Sequence, residues 1–113
     1  MNKYYGIAEL IRMDIFSKYG KANQLIPSIR SYAKEYHVNS NTVCRALQLL
    51  ESEEIIYPYR TKGYYVSEDI QKKKEEFGKR QVKHLVDVLH KLGYSDIEIQ
   101  DMLKTIIKKV GGL

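Results

Sequence analysis

Hydrophobic spacing in this chain leaves the helical period near residue 54 and returns to it after Val66, and that interruption limits the folds open to it. Before it, three stretches read at a spacing of about 3.6 residues. The first covers about residues 4–18, with Ile7, Leu10, Ile11, Asp14, Ile15 and Lys18 in one mainly apolar stripe and Glu9, Arg12 and Met13 outside it. Gly20 through Asn23 end it. Pro27 stands just ahead of a second helix, Ser28 can cap its free amides, and Ile29, Tyr32, Ala33 and Tyr36 make its inner face. His37, Val38 and Asn39 form a tight connection to a third helix, about Ser40 to Ser52, which buries Val43, Ala46, Leu47 and Leu50. Within the interruption come two short β-prone runs, Ile55-Ile56-Tyr57 and Tyr64-Tyr65-Val66. Pro58 to Gly63 between them is of turn length, with its glycine late. Three helices and then a hairpin is the order of a winged helix-turn-helix, mainly α with a small β-hairpin.

The remaining residues read as two more helices. One runs from about Glu68 to Leu92 on Ile70, Phe77, Val82, Leu85, Val86, Leu89 and Leu92, and Gly93 stops it. Gly78 weakens that helix by about 1 kcal/mol relative to alanine, which leaves room for a bend. Ser95 with Glu98 makes a capping box for the other, where Ile99, Met102, Leu103, Ile106, Ile107 and Val110 recur before Gly111-Gly112. The expected division is a winged unit over 1–67 and a two-helix tail over 68–113. Lys72-Lys73-Lys74-Glu75-Glu76 reads as one solvated helix face.

Composition excludes several functions. The length of 113 residues allows one compact domain and an appendage, and a hydrophobic share of 43% is that of a globular protein. Nineteen basic residues against fourteen acidic ones leave +5, which suits an anionic partner without identifying it. Cys44 is the single cysteine, so an internal disulfide framework and a multi-cysteine zinc site are both ruled out. No apolar run reaches the roughly 18 residues needed to cross a bilayer. The opening Met-Asn-Lys-Tyr-Tyr lacks a signal peptide's apolar core, so a cytoplasmic protein that meets no membrane is expected. There is no nucleophile elbow, phosphate loop, paired acid–base cluster or metal constellation. The chain therefore reads as a non-enzyme with no catalytic residue, metal or cofactor. His84 and His90, six apart, fall on different helix faces and read with His37 as surface or turn groups.

The third helix has two distinct sides. Ser40, Asn41, Cys44, Arg45 and Gln48 project away from its apolar positions, and all but Cys44 are plain hydrogen-bonding groups. A helix that enters the major groove needs short polar or planar side chains near its N-terminus, since those reach base edges unobstructed. An ordinary solvated helix surface has the same composition, and spacing alone does not separate the two.

Sequence motifs do separate them. From Ile26 to Val66 the chain resembles the DNA-binding domain of the GntR family of bacterial transcription regulators. Ile26-Pro27-Ser28-Ile29-Arg30 is similar to that family's entry to its second helix, L-P-S-x-R. Val38-Asn39-Ser40-Asn41-Thr42-Val43-Cys44-Arg45-Ala46-Leu47 is similar to its recognition helix, V-S-x-N-T-V-x-R-A-L. Lys62-Gly63-Tyr64-Tyr65-Val66 is similar to the end of its wing, R-G-T-F-V. A tail of about 47 residues after the wing, with Pro-Ser-Ile-Arg and Val-Asn-Ser-Asn-Thr-Val, is similar to the YtrA-type subfamily. The resemblance implies DNA contact by Arg30, by Ser40, Asn41, Thr42, Cys44 and Arg45, and by Arg60, Thr61, Lys62 and Gly63 at the wing tip. It also implies a homodimer and repression at a double-stranded operator, often one controlling transporter genes. Three residues depart from the pattern: Asn23 and Glu54 stand where glycine is usual, and Cys44 where arginine or serine is common.

The tail's aliphatic stripe needs cover that a two-helix hairpin cannot give itself. A second copy of the chain supplies it, and a two-fold protein gains a second half-site. Leu85, Leu89, Met102, Leu103, Ile106 and Ile107 are the expected dimer contacts. The tail offers no convergent polar set for a small-molecule effector, and no inducing signal is legible. A redox role for Cys44 lacks a second cysteine, and one flanking arginine is a weak cause for a reactive thiolate. The expected function is a sequence-specific regulator, a repressor acting as a homodimer on an inverted repeat. The alternative is a winged-helix module whose surface and tail bind another protein, without specific DNA binding.

Overall fold

The structure, a computed structural model, describes residues 3–111. Its elements follow in the expected order: α1 (Lys3–Lys18), α2 (Ile29–Tyr36), α3 (Ser40–Ser52), β1 (Ile56–Pro58), β2 (Tyr64–Val66), α4 (Ile70–Lys91) and α5 (Asp96–Val110). Contacts divide the chain into two units, 1–75 and 76–113, so the first turn of α4 belongs with the hairpin. Gly112, part of the expected stop after the last helix, lies outside the described residues. Gly111 caps α5 with φ −64°, a right-handed conformation.

In the first unit α3 is central and packs against α1, α2 and β1. Val43, Ala46, Leu47 and Leu50 are buried as their spacing requires, and Ile11 and Ile15 of α1, Tyr32 of α2, and Ile56, Val66 and Ile70 are buried with them in the core. Full burial of each large aliphatic side chain contributes about 1.5–3 kcal/mol. The stripe expected for α1 needs one correction. Leu10 is 49% exposed, while Ala8 and Phe16 are buried beside Ile7, Ile11 and Ile15. Apolar residues lie almost all round this helix, so spacing alone does not choose the arc that faces α3. Polar clips reinforce the packing. The Tyr32 hydroxyl donates to Asp14 Oδ2 at 3.0 Å, and burial, then the nearby Asp14 charge, pushes its pKa up. Arg12 forks onto Glu53 with Nε to Oε1 at 3.0 Å and Nη2 to Oε2 at 2.7 Å, tying α1 to the end of α3.

β1 and β2 pair antiparallel with Ile56 opposite Val66, Tyr57 opposite Tyr65 and Pro58 opposite Tyr64. The other edge of β2 is also covered. Asn23 N–H donates to Val66 O, Val66 N–H to Gln24 O, and Ile26 N–H to Tyr64 O, with Leu25 bridged to Tyr65. The wing is thereby anchored to the segment that leads into α2. Four connections of this unit each carry one left-handed residue with a side chain: Asn23 after α1 (φ 62°), His37 between α2 and α3 (φ 54°), Glu54 before β1 (φ 60°) and Arg60 between the strands (φ 54°). Glu54 keeps the conformation that glycine would adopt freely, at a cost of about 1 kcal/mol or more. Its carbonyl accepts from the Ser67 hydroxyl, and its carboxylate lies 3.5 Å from Lys73 Nζ.

In the second unit the rest of α4 leads to α5 through a tight turn. Gly93 takes φ 95°, and Tyr94 N–H donates to Leu89 O at 3.1 Å. The capping box forms as read: Glu98 N–H donates to Ser95 Oγ and Ser95 N–H to Glu98 Oε1. That donation from the Ser95 amide holds the Glu98 carboxyl below the usual range. Among the described residues of this unit, Ile99 is the one buried apolar side chain. Val82, Leu85, Val88, Leu92, Ile106, Ile107 and Val110 are exposed. No described helix is long and apolar enough to cross a membrane.

Candidate nucleic-acid interface

Two N-caps set the helix-turn-helix. Ser28 Oγ accepts from Ser31 N–H at 3.1 Å and starts α2. Asn39 Oδ1 accepts from Thr42 N–H at 2.9 Å and from Thr42 Oγ1 at 3.2 Å, which starts α3. Thr42 is half-buried and its hydroxyl is engaged in this cap. Ser40 and Asn41 are exposed at the start of α3.

Residues follow one another around a helix at about 100°, which puts Asn41, Arg45 and Gln48 within an arc of about 60° opposite the buried side. All three are exposed. Gln48 was not among the contact residues implied by the motif, although its spacing already put it on the polar side; it forms one edge of the outward arc and Arg45 the other, with Asn41 between them. Ser40 and Cys44 border the arc. Cys44 is half-buried and close enough to Tyr64 to affect its titration. Burial first, then Glu51, which accepts the Tyr64 hydroxyl at 3.3 Å, and then Cys44 raise the pKa of that tyrosine and keep it neutral.

The wing tip and the start of α2 come together. Arg30, Thr61, Lys62 and Gly63 line a single shallow cleft of about 290 Å³ with Pro27, Ser28, Ile29 and Tyr64. Gly63 takes φ 113°, and its carbonyl accepts from Tyr59 N–H at 3.1 Å, closing the turn. The Arg60 guanidinium lies 5.2 Å above the Tyr59 ring. Tyr59 in turn meets Tyr65 edge-on, and Tyr65 stacks on Tyr57, whose hydroxyl donates to Asn23 Oδ1 at 2.6 Å. Arg45 also has an aromatic neighbour, with its guanidinium 5.0 Å from the Tyr4 ring centre. That contact joins residues 41 positions apart, and motif spacing gives no sign of it.

The tail residues picked out from the sequence divide by exposure. Leu85, Ile106 and Ile107 are exposed; Leu89, Met102 and Leu103 are half-buried. Met102 and Ile106 line an open depression with Asp101 and Thr105. Among the described residues no group of three or more His, Cys, Asp or Glu could hold a metal ion.

A polar helix face carrying Arg45, with Arg30 and Lys62 lining a cleft between the start of α2 and the wing, on a helix-turn-helix closed by a pinned hairpin, defines a winged-helix protein of the nucleic-acid-reading type. The model for bacterial regulatory proteins of the gntR family matches residues 3–66, and the chain belongs to that family. It is 32% identical over 96 residues to the HTH-type transcriptional repressor YtrA of Bacillus subtilis, covering 81% of this chain and 74% of that one. A solved GntR family transcriptional regulator from Listeria monocytogenes superposes with a TM-score of 0.80 at 30% identity, over 90% of this chain and 92% of the other. Similarity to the HTH-type transcriptional regulator YcxD of Bacillus subtilis, 36% over 66 residues, takes in 58% of this chain and 15% of that longer protein.

Proposed function

We propose that the protein is a sequence-specific transcription regulator, a repressor that binds an inverted-repeat operator in double-stranded DNA as a homodimer. One observation carries the reading: Asn41, Arg45 and Gln48 are exposed on α3 while Val43, Ala46, Leu47 and Leu50 anchor it from behind. In this reading α3 lies in the major groove. Asn41 and Gln48 offer planar amides suited to adenine edges, and Ser40 suits either a base or a phosphate. Arg30, Arg45, Arg60 and Lys62, with Thr61 and the Gly63 backbone, contact phosphates and the neighbouring minor groove. Thr42 serves the interface through the cap that starts the helix. Cys44 borders the groove face as a small, weakly polar side chain.

Residues 1–67 are the DNA-binding region of this proposal and residues 68–113 the dimerisation region. Leu85, Leu89, Met102, Leu103, Ile106 and Ile107 meet their equivalents in the second copy. Similarity to a protein named as a repressor, over most of both chains, supports repression as the sign of regulation.

Selection of bound duplexes from a random pool tests binding, symmetry and half-site spacing together. The expected result is an enriched inverted repeat, with half-sites about one helical turn or somewhat more apart. Its affinity and that of random duplex should both fall with salt while the preference persists. Recovery of no preferred sequence, with no salt-dependent duplex binding, would sink this function in favour of a protein-binding module.

A further inference from the structure

We infer that Tyr4, in the first turn of α1, is a positioning residue of the DNA interface that presents Arg45 to a backbone phosphate. This rests on the reading of α3 as the groove helix and extends it to a different element. Tyr4 is half-buried and Arg45 exposed, and the guanidinium lies 5.0 Å from the ring centre. A cation over an aromatic face is held by the ring quadrupole, and its N–H groups at the edge remain free to donate. Tyr4, Arg45, Gln48 and Leu49 line a common shallow cleft of about 250 Å³. The ring therefore meets the polar side of α3 at Arg45 and Gln48, residues of the outward arc. Tyr4 is itself stacked on Tyr5, with ring centres 4.6 Å apart and planes 25° apart, so the platform is supported from its own helix. No carboxylate among the described residues pairs with Arg45, so the charge is not already neutralised.

The chemistry identifies the ligand as a phosphodiester oxygen. A guanidinium with unused donors, fixed at the edge of the outward arc of a helix in the major groove, faces the sugar–phosphate strand at the groove's edge. Fixing a flexible arginine before contact removes part of the ordering cost that binding otherwise carries. Such a contact strengthens binding to every duplex alike and adds no sequence preference.

A double-mutant cycle on the full chain tests this, with a labelled random-sequence duplex several helical turns long as the probe. Arg45→Ala should weaken binding and lower the salt slope by about 1 per protomer, the signature of one lost phosphate contact. Tyr4→Ala should weaken binding about two- to five-fold, and Tyr4→Phe, which keeps the ring, should restore it. In the Arg45→Ala background, Tyr4→Ala should have no further effect. An equal loss in both backgrounds, or no loss in the wild-type background, overturns the positioning role while leaving the groove helix standing. Unchanged duplex binding by Arg45→Ala overturns the assignment of this face itself, and the positioning role with it.

Discussion

In residues 1–75 the apolar sides of the helices close on one another, with Ile11, Ile15, Tyr32, Val43 and Leu50 fully covered. In residues 76–113 the same kind of stripe stays open: Ile107 is 68% exposed and Val110 81% exposed. Both regions have clear helical spacing and good caps, so local propensity does not separate them. What separates them is the number of elements available to cover each stripe. Three helices and a hairpin can enclose a core; two helices cannot. The first region holds its polar face in place unaided. The second presents the kind of aliphatic surface that marks a protein contact.

The sharpest test of that contrast is truncation on each side of it. Leu50→Ala should cost about 2–5 kcal/mol in denaturant unfolding, because it opens a cavity among fully covered neighbours. Ile107→Ala should stay within about 0.5 kcal/mol for the dilute chain. Equal costs would erase the distinction. Next in size, charge placed in the open stripe by Leu103→Asp with Ile106→Asp should give monomers in sedimentation. Operator affinity should then drop about a hundred-fold or more, since the second half-site is no longer tethered. A dimer that survives this change would move the interface elsewhere.

A smaller effect belongs to the first region alone. Asn41→Ala should lose about 1–3 kcal/mol of preference for the selected operator over random duplex in competition binding, with the fold intact, whereas Arg30→Ala should weaken both about equally. The smallest effect belongs to the tail. The Glu98 carboxyl is held low by the Ser95 amide, so the folded tail favours its ionised form. Its contribution to α5 is present above the ordinary carboxylate range and is lost as pH falls through the lowered value. An acid titration of helicity should show that step, and Glu98→Gln should flatten it.

Much of this was legible in the sequence, and the exceptions have a common cause. The limits of α3, the Ser28 cap and the Ser95–Glu98 box came directly from residue type and spacing, because each is settled within four residues. The polar side of α3 was legible for the same reason. Long-range pairings were not. Arg12 reaches Glu53 across 41 positions, and Gln24 to Ile26 line up along β2 only after the chain has turned back. Those three residues carry no alternation that would mark a strand. α1 was misread at Leu10 because its surroundings, not its own pattern, select the inward side. On the proposed interface, Asn41, Arg45 and Gln48 could be placed on one face from spacing, and Asn41 and Arg45 from the motif as well. Tyr4's nearness to Arg45 depends on how α1 crosses α3, which a linear pattern does not encode.

The four left-handed corners at Asn23, His37, Glu54 and Arg60 have a consequence for how this scaffold tolerates change. Each sits in a connection between two elements, so the spacing between α3 and the hairpin is written into chain path as well as into side-chain fit. Swapping surface letters on α3 therefore rewrites the text a reader recognises while leaving the reading head at a constant pitch. Lengthening the corner at Asn23, His37 or Glu54 by even one residue would shift that pitch without altering a single proposed contact group.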